Sequence, residues 1–209
     1  MEEVGGGLAV LKQKQQEWPG RTGQLQLLSG LLGGPEDPCP LLFVYGPPGT
    51  GKTGLVRRFL KRLQRPLAYV SCLESHCPRL VYEASHLQLH ATCPVSENAI
   101  DQKRVERLGD LESSLRELAE RRRRRATAEG NAATPTHYVI LDGVERLASK
   151  ASTGGTAPLG ALLRLGELSG LKLAFGLISQ QPWESFRCNS CGMEPVSIFF
   201  ERSQDDDAV

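Results

Sequence analysis

Gly46-Pro47-Pro48-Gly49-Thr50-Gly51-Lys52-Thr53 decides how the rest of the chain is read. The run fits G-x-x-x-x-G-K-[ST], a loop that binds phosphate. Its glycines let the backbone curl until several N–H groups face one anion. Lys52 supplies a flexible cation for the β- and γ-phosphates, and the Thr53 hydroxyl is a ligand suited to Mg²⁺. The flanks supply the context that such a loop needs. Leu41-Leu42-Phe43-Val44-Tyr45 reads as a buried strand, and Gly54 to Leu63 places apolar residues at 55, 56, 59, 60 and 63, a helical spacing. A helix that starts at the loop also points its free N–H groups and the positive end of its dipole at the phosphates.

Working outward, the 209 residues are the size of one large domain, and 40% apolar content is enough for a core. A net charge of +1 excludes polyanion binding by bulk charge, so any nucleic-acid contact must come from a local patch. No stretch reaches the length of a membrane-spanning helix, and the reading includes no membrane partner. The acidic, glycine-rich start Met1-Glu2-Glu3-Val4 does not read as a signal peptide. The chain is therefore expected inside the cell, with its six cysteines as reduced thiols.

Residues 1–17 read as a flexible lead, and Asp205-Asp206-Asp207 marks an acidic tail over 201–209. Between them, residues 18–200 form the domain. Gln24 to Leu32 carries one apolar helical face, closed by Gly33-Gly34-Pro35. Further strands are expected at Pro66 to Cys72, His137 to Asp142, Leu171 to Ser179 and Pro195 to Phe200. Helices are expected at Pro78 to His90, from Ile100 to Glu120 (apolar at 105, 108, 111, 115 and 118), and at Leu159 to Leu168. Arg121 to Arg125 and the small residues up to Thr136 read as a basic loop, and Ser149 to Pro158 as a Gly/Thr-rich loop. Pro182 to Phe186 reads as a short helix or turn. Nearly continuous apolar strands alternating with helices predict an α/β fold, a five-stranded parallel sheet covered on both faces. Tyr138-Val139-Ile140-Leu141-Asp142 places an acid at a strand tip, where it can support Mg²⁺ beside the phosphate loop.

Together these pieces resemble the AAA+ initiator family, the origin recognition complex subunits and their loader relatives. Trp18-Pro19-Gly20-Arg21, with Gln24-Leu25-Gln26-Leu27-Leu28 after it, is similar to the family's aromatic-x-Gly-Arg segment. Val139 to Leu147, Leu162 to Leu168 and Ile178-Ser179-Gln180-Gln181-Pro182-Trp183-Glu184-Ser185-Phe186-Arg187 carry the remaining similarity. The resemblance implies a RecA-like AAA+ core that binds ATP and Mg²⁺. Phosphate would be held by Gly46, Pro47, Pro48, Gly49, Thr50, Gly51, Lys52 and Thr53, and Mg²⁺ by Thr53 and Asp142. Pro19, Gly20 and Arg21 would lie near the adenine, and Ser179 near the γ-phosphate. The implied setting is the nucleus, with the other complex subunits as partners, origin DNA engaged through the complex, and no small-molecule substrate beyond ATP. Lid and winged-helix domains would follow, but the chain ends at Val209 before either and reads as a fragment, a short isoform or a truncated gene model.

The family's ATPases carry Glu directly after the strand-tip Asp, to polarise the attacking water. Here that position is Gly143, and the next acid is Glu145. General-base work needs hydrogen-bond reach of the water. The expectation is a binding subunit with ATP held structurally and little or no hydrolysis. The alternative is an active ATPase, a loader or motor, with Glu145 positioning the water. A small-molecule kinase is a third and weaker reading.

Four other features carry weaker signals. Arg121 to Arg125 fits a solvated surface better than a DNA contact. Cys188 and Cys191 have metal-ligand spacing without a clear second pair, although Cys72 and Cys77 lie upstream. His86 and His90 are an i, i+4 pair read as part of a surface helix. Arg187 has the position of an arginine finger but equally that of a surface residue.

Overall fold

The computed structural model describes residues 20–32, 38–63, 65–75, 77–92, 104–128, 135–148 and 158–202. In chain order the elements are α1 (Thr22–Leu32), β1 (Leu41–Tyr45), α2 (Lys52–Arg62), β2 (Leu67–Ser71), α3 (Pro78–Ala91) and α4 (Leu108–Ala128). Then come β3 (His137–Asp142), α5 (Glu145–Ala148), α6 (Pro158–Leu163), α7 (Leu165–Ser169), β4 (Leu173–Ser179), a 3₁₀ helix (Trp183–Asn189) and β5 (Val196–Phe199). The five strands form one parallel sheet in the order β2-β3-β4-β1-β5.

Side-chain parity along the strands builds two cores, one on each face. Leu41 and Phe43 of β1, Val139 and Leu141 of β3, and Phe175 and Leu177 of β4 face the layer that holds α3, α4 and the 3₁₀ helix. Leu42 and Val44, Tyr138 and Ile140, and Ala174 and Ile178 face α1 and α2. Burial on both sides explains why β1, β3 and β4 read as unbroken apolar runs. The outer strands differ. In β5 only Ile198 is buried, and in β2 Leu67, Tyr69 and Ser71 are half-buried. The free edge of β2 is closed by one side chain: Tyr69 N–H donates to Gln88 Oε1 at 2.7 Å, and Gln88 Nε2 donates to Tyr69 O at 2.8 Å.

Three expectations are corrected. The helix expected from Ile100 starts at Leu108; Val105 is buried but precedes it, and Asp110 Oδ2 accepts the N–H groups of Glu106 (3.1 Å) and Arg107 (2.9 Å). Arg121 to Arg125 is not a loop but the continuation of α4 to Ala128. Arginine is a good helix former, and ion pairs one turn apart, Arg121–Glu117 (3.9 Å) and Arg124–Glu120 (4.0 Å), tie the run to the preceding turn. The helix expected over Leu159 to Leu168 is two short ones that meet at Arg164. The lead 1–17, residues 149–157 and the acidic tail from 203 lie outside the described residues.

Candidate nucleotide-binding site

The strand order brings the tips of β3, β4 and β1 side by side. The phosphate loop leaves β1, Asp142 ends β3, and Ser179 ends β4 between them. Gly46 takes φ 147°, and a Cβ there would lie 2.2 Å from the Phe200 carbonyl oxygen. Phe200 N–H in turn donates to Tyr45 O at 2.8 Å. The first glycine of the loop is thus required by the close passage of the chain leaving β5. Gly49 and Gly51 both take φ 81°, and the loop turns directly into α2.

Lys52 is the first residue of α2, and its side chain is buried with only 7% exposure. Its Nζ donates to Gly46 O (2.8 Å), Pro47 O (2.6 Å) and Thr50 Oγ1 (3.3 Å), so the ammonium sits within the loop. Burial lowers its pKa from 10.5; the carboxylates of Asp142 and Glu145 oppose that shift, and Arg21 adds to it. Gly51 caps α2 without a side-chain hydrogen bond, which leaves the first N–H groups of the helix available to an anion.

Thr53 Oγ1 donates to Asp142 Oδ2 at 2.9 Å, and Tyr69 Oη donates to the same oxygen at 2.5 Å. Strand parity places Tyr69 and Asp142 on the side of the sheet that α2, which carries Thr53, covers, and β2 pairs Ser71 with Asp142. Tyr69, two residues back, spans the diagonal. Burial and the Asp142 hydrogen bond push its phenol well above the ordinary 10, so it remains a donor. The pair of hydroxyl and carboxylate beside an anion-binding loop fits Mg²⁺, a hard cation that prefers oxygen ligands shared with phosphates. Thr53 and Asp142 would hold Mg²⁺, which would supply positive charge to offset that of the phosphates.

Gly143 takes φ 75°, and a Cβ there would lie 3.0 Å from Leu73 Cγ. This left-handed residue turns the chain sharply after Asp142, and its N–H donates to Ile178 O at 2.9 Å. Glu145 opens α5 and accepts a hydrogen bond from Ser179 Oγ at 2.9 Å. Ser179 Oγ also accepts the Gln181 N–H at 2.9 Å. Lys52, Thr53, Asp142, Glu145, Ser179 and Leu73 line one cleft of about 370 Å³, within the range of small-ligand sites. Tyr69 and Leu73 were missed in the sequence. The only signal for Tyr69 was the alignment of two strand tips, which becomes visible once pairing is known.

The remaining candidates lie elsewhere or have other partners. Arg21 Nη2 donates to Glu201 O at 2.6 Å, and its guanidinium lies 5.5 Å from the Phe200 ring centre. Pro19 lies outside the described residues. Arg187 pairs with Glu194 at 3.4 Å. Cys188 and Cys191 are exposed, and among the described residues no three His, Cys, Asp or Glu side chains group as a metal site. His86 does not belong to a surface: it is 3% exposed, its ring 4.4 Å from that of His90 and tilted 45° to it, and His90 Nε2 lies 2.9 Å from Ser114 Oγ of α4.

A parallel sheet in this order, with the phosphate loop on one tip and an acid two strands away, defines a P-loop nucleotide-binding domain. The chain belongs to the AAA ATPase domain family, whose model matches residues 17–175. Among individual proteins it is similar to human origin recognition complex subunit 5, with 28% identity over 181 residues, 86% of this chain and 39% of that protein. It is also similar to the origin of replication complex subunit 5 of Arabidopsis thaliana, with 27% identity over 91% of this chain and 38% of that protein. A structure of Drosophila ORC bound to DNA superimposes with a TM-score of 0.70 at 25% identity, covering 95% of this chain and 47% of the other. Cdc6p from Pyrobaculum aerophilum shares the fold, with a TM-score of 0.54 at 18% identity, covering 87% of this chain and 45% of that one. The chain thus spans about two fifths of the length of the relatives it matches.

Proposed function

We propose that this chain is the ATP-binding part of an origin recognition complex subunit, and that it holds ATP with Mg²⁺ structurally, with little or no hydrolysis. Residues 18–200 are the nucleotide-binding domain. ATP orders the phosphate loop and favours one subunit arrangement by binding it more tightly than the alternatives. The partners are the other complex subunits, origin DNA is engaged through the complex, and the site of action is the nucleus. The Gly46 to Thr53 loop and Asp142 hold the phosphates and the cation, Gly20 and Arg21 with Pro19 border the adenine, and Ser179 lies toward the γ-phosphate.

The observation that carries the hydrolysis part is the backbone at Gly143. The position where an ATPase of this family presents its water-polarising acid is a left-handed glycine packed beneath Leu73. Glu145 favours the second reading, an active ATPase, because its carboxylate lines the cleft. Its hydrogen bond to Ser179 favours an anchoring role instead. Single-turnover incubation with ATP and Mg²⁺, alone and with co-expressed partner subunits, separates the two. ATP recovered intact after hours is the expected result. Conversion to ADP that disappears in Glu145→Gln would replace the binding reading with the ATPase.

A further inference from the structure

We propose that Tyr69 is a positioning residue for the divalent cation: its hydroxyl fixes the Asp142 carboxylate that supports the metal, and Gln88 fixes Tyr69. The inference rests on the Mg²⁺–nucleotide reading of the site. Asp142 Oδ2 accepts two hydroxyl donors, Thr53 at 2.9 Å and Tyr69 at 2.5 Å. The carboxylate cannot turn without breaking both. The two donors have different fates in this reading. Thr53 is itself a candidate metal ligand, so its hydroxyl would be shared with the cation. Tyr69 comes from a different element, β2, and would remain the group that orients Asp142 if Thr53 served as a ligand.

Tyr69 is itself held from three directions. Its N–H and C=O are both bonded to the Gln88 side chain, at 2.7 Å and 2.8 Å. Its ring lies under the Arg57 guanidinium, 4.9 Å from the centroid. Register places its neighbour Ser71 opposite Asp142, so the phenol reaches one diagonal step to the carboxylate. The arrangement resembles the partner groups that orient ligating side chains at metal sites, where loss of the orienting bond weakens the metal rather than the fold.

The experiment measures ATP affinity of the full chain by calorimetry, in excess Mg²⁺ and in EDTA, for wild type and Tyr69→Phe. Hydrogen bonds to charged groups commonly move an equilibrium by about tenfold or more. Tyr69→Phe is therefore expected to cut the Mg²⁺-dependent gain in ATP affinity roughly tenfold, with the affinity in EDTA unchanged. In an Asp142→Asn background the same substitution is expected to change neither value. Gln88→Ala, which loosens Tyr69 without removing the hydroxyl, is expected to reduce the same gain by a smaller factor. Equal losses in both media would show that Tyr69 serves packing only and overturn the inference, as would an unchanged Mg²⁺ gain. A wild-type chain with no Mg²⁺ gain would instead overturn the reading of the site, and the inference with it.

Discussion

Installing a side chain at position 143 tests the claim that backbone geometry, and not only a missing carboxylate, keeps this site from hydrolysis. Gly143 takes φ 75°, where an L-residue costs about 1–2 kcal/mol. A Cβ would also meet Leu73 Cγ at 3.0 Å and Cδ2 at 3.3 Å. Leu73 is 58% exposed, so it can swing aside at a cost of a few tenths of a kcal/mol. The backbone term therefore dominates. Gly143→Ala is expected to lose about 1–2 kcal/mol in urea unfolding and roughly 2–8 °C in Tm. Leu73→Ala combined with it should recover only the smaller steric part, which a double-mutant cycle reads directly. Gly143→Glu carries the same penalty and is expected to bind ATP without hydrolysing it in single-turnover assays. A Gly143→Ala chain as stable as wild type would refute the strain argument. Turnover by Gly143→Glu would show that the carboxylate was the only missing part.

Two further outcomes are expected. Lys52→Ala removes the buried ammonium from the loop and should lower ATP affinity at least about tenfold to a hundredfold, measured by calorimetry, since each charge-assisted bond to phosphate contributes strongly; normal assembly with partner subunits and no bound nucleotide would refute the structural role of ATP. His137 is fully buried at the start of β3, and burial pushes its pKa from 6.5 down to about 4, with the Arg122 charge acting in the same direction. The unfolded chain therefore binds the proton first, and stability falls as pH drops from about 6.5 toward 4. Urea denaturation across that window should show the loss, at most about 3 kcal/mol, and His137→Phe should flatten it.

What the sequence made legible was what lies close in sequence. The phosphate loop, its strand and its helix are one continuous stretch, so local pattern carried them. Two-sided burial wrote β1, β3 and β4 as apolar runs, and the sheet followed. The parts that escaped depend on pairing across the sheet. Tyr69 belongs to the site only because β2 aligns Ser71 with Asp142, and Leu73 only because the turn after β2 passes over Gly143. The Arg121 to Arg125 run was misread because a block of like charges suggests a solvated loop. Glu117 and Glu120 one turn earlier, and the contact of Arg123 Nη2 with Gly170 O at 3.4 Å, relieve that repulsion within a helix. The pair His86 and His90 misled for the opposite reason: imidazoles at helical spacing suggest a polar face, whereas α4 covers them through Ser114.

The two acids of the site are separated by one glycine turn, and that turn sends them to different neighbours. Asp142 faces α2 and is bonded by Thr53 and Tyr69. Glu145 faces the tip of β4 and is bonded by Ser179. In a hydrolytic site the metal-supporting acid and the water-polarising acid must address the same phosphate from adjacent directions, and general-base work needs the second to lie within about 3 Å of the water. Here each carboxylate already accepts from a hydroxyl of another element, so freeing Glu145 for water would leave Ser179 to find another acceptor. The hydrogen bond that anchors Glu145 also ties α5 to β4, where Gly143 N–H already bonds Ile178 O. Acid, glycine turn and serine thus act as one brace across the strand tips. The Ser179 hydroxyl carries one proton and donates it to Glu145, so a phosphate that drew a donor from Ser179 would release Glu145 and loosen the brace, whereas phosphates held by Lys52 and Thr53 alone would leave it intact.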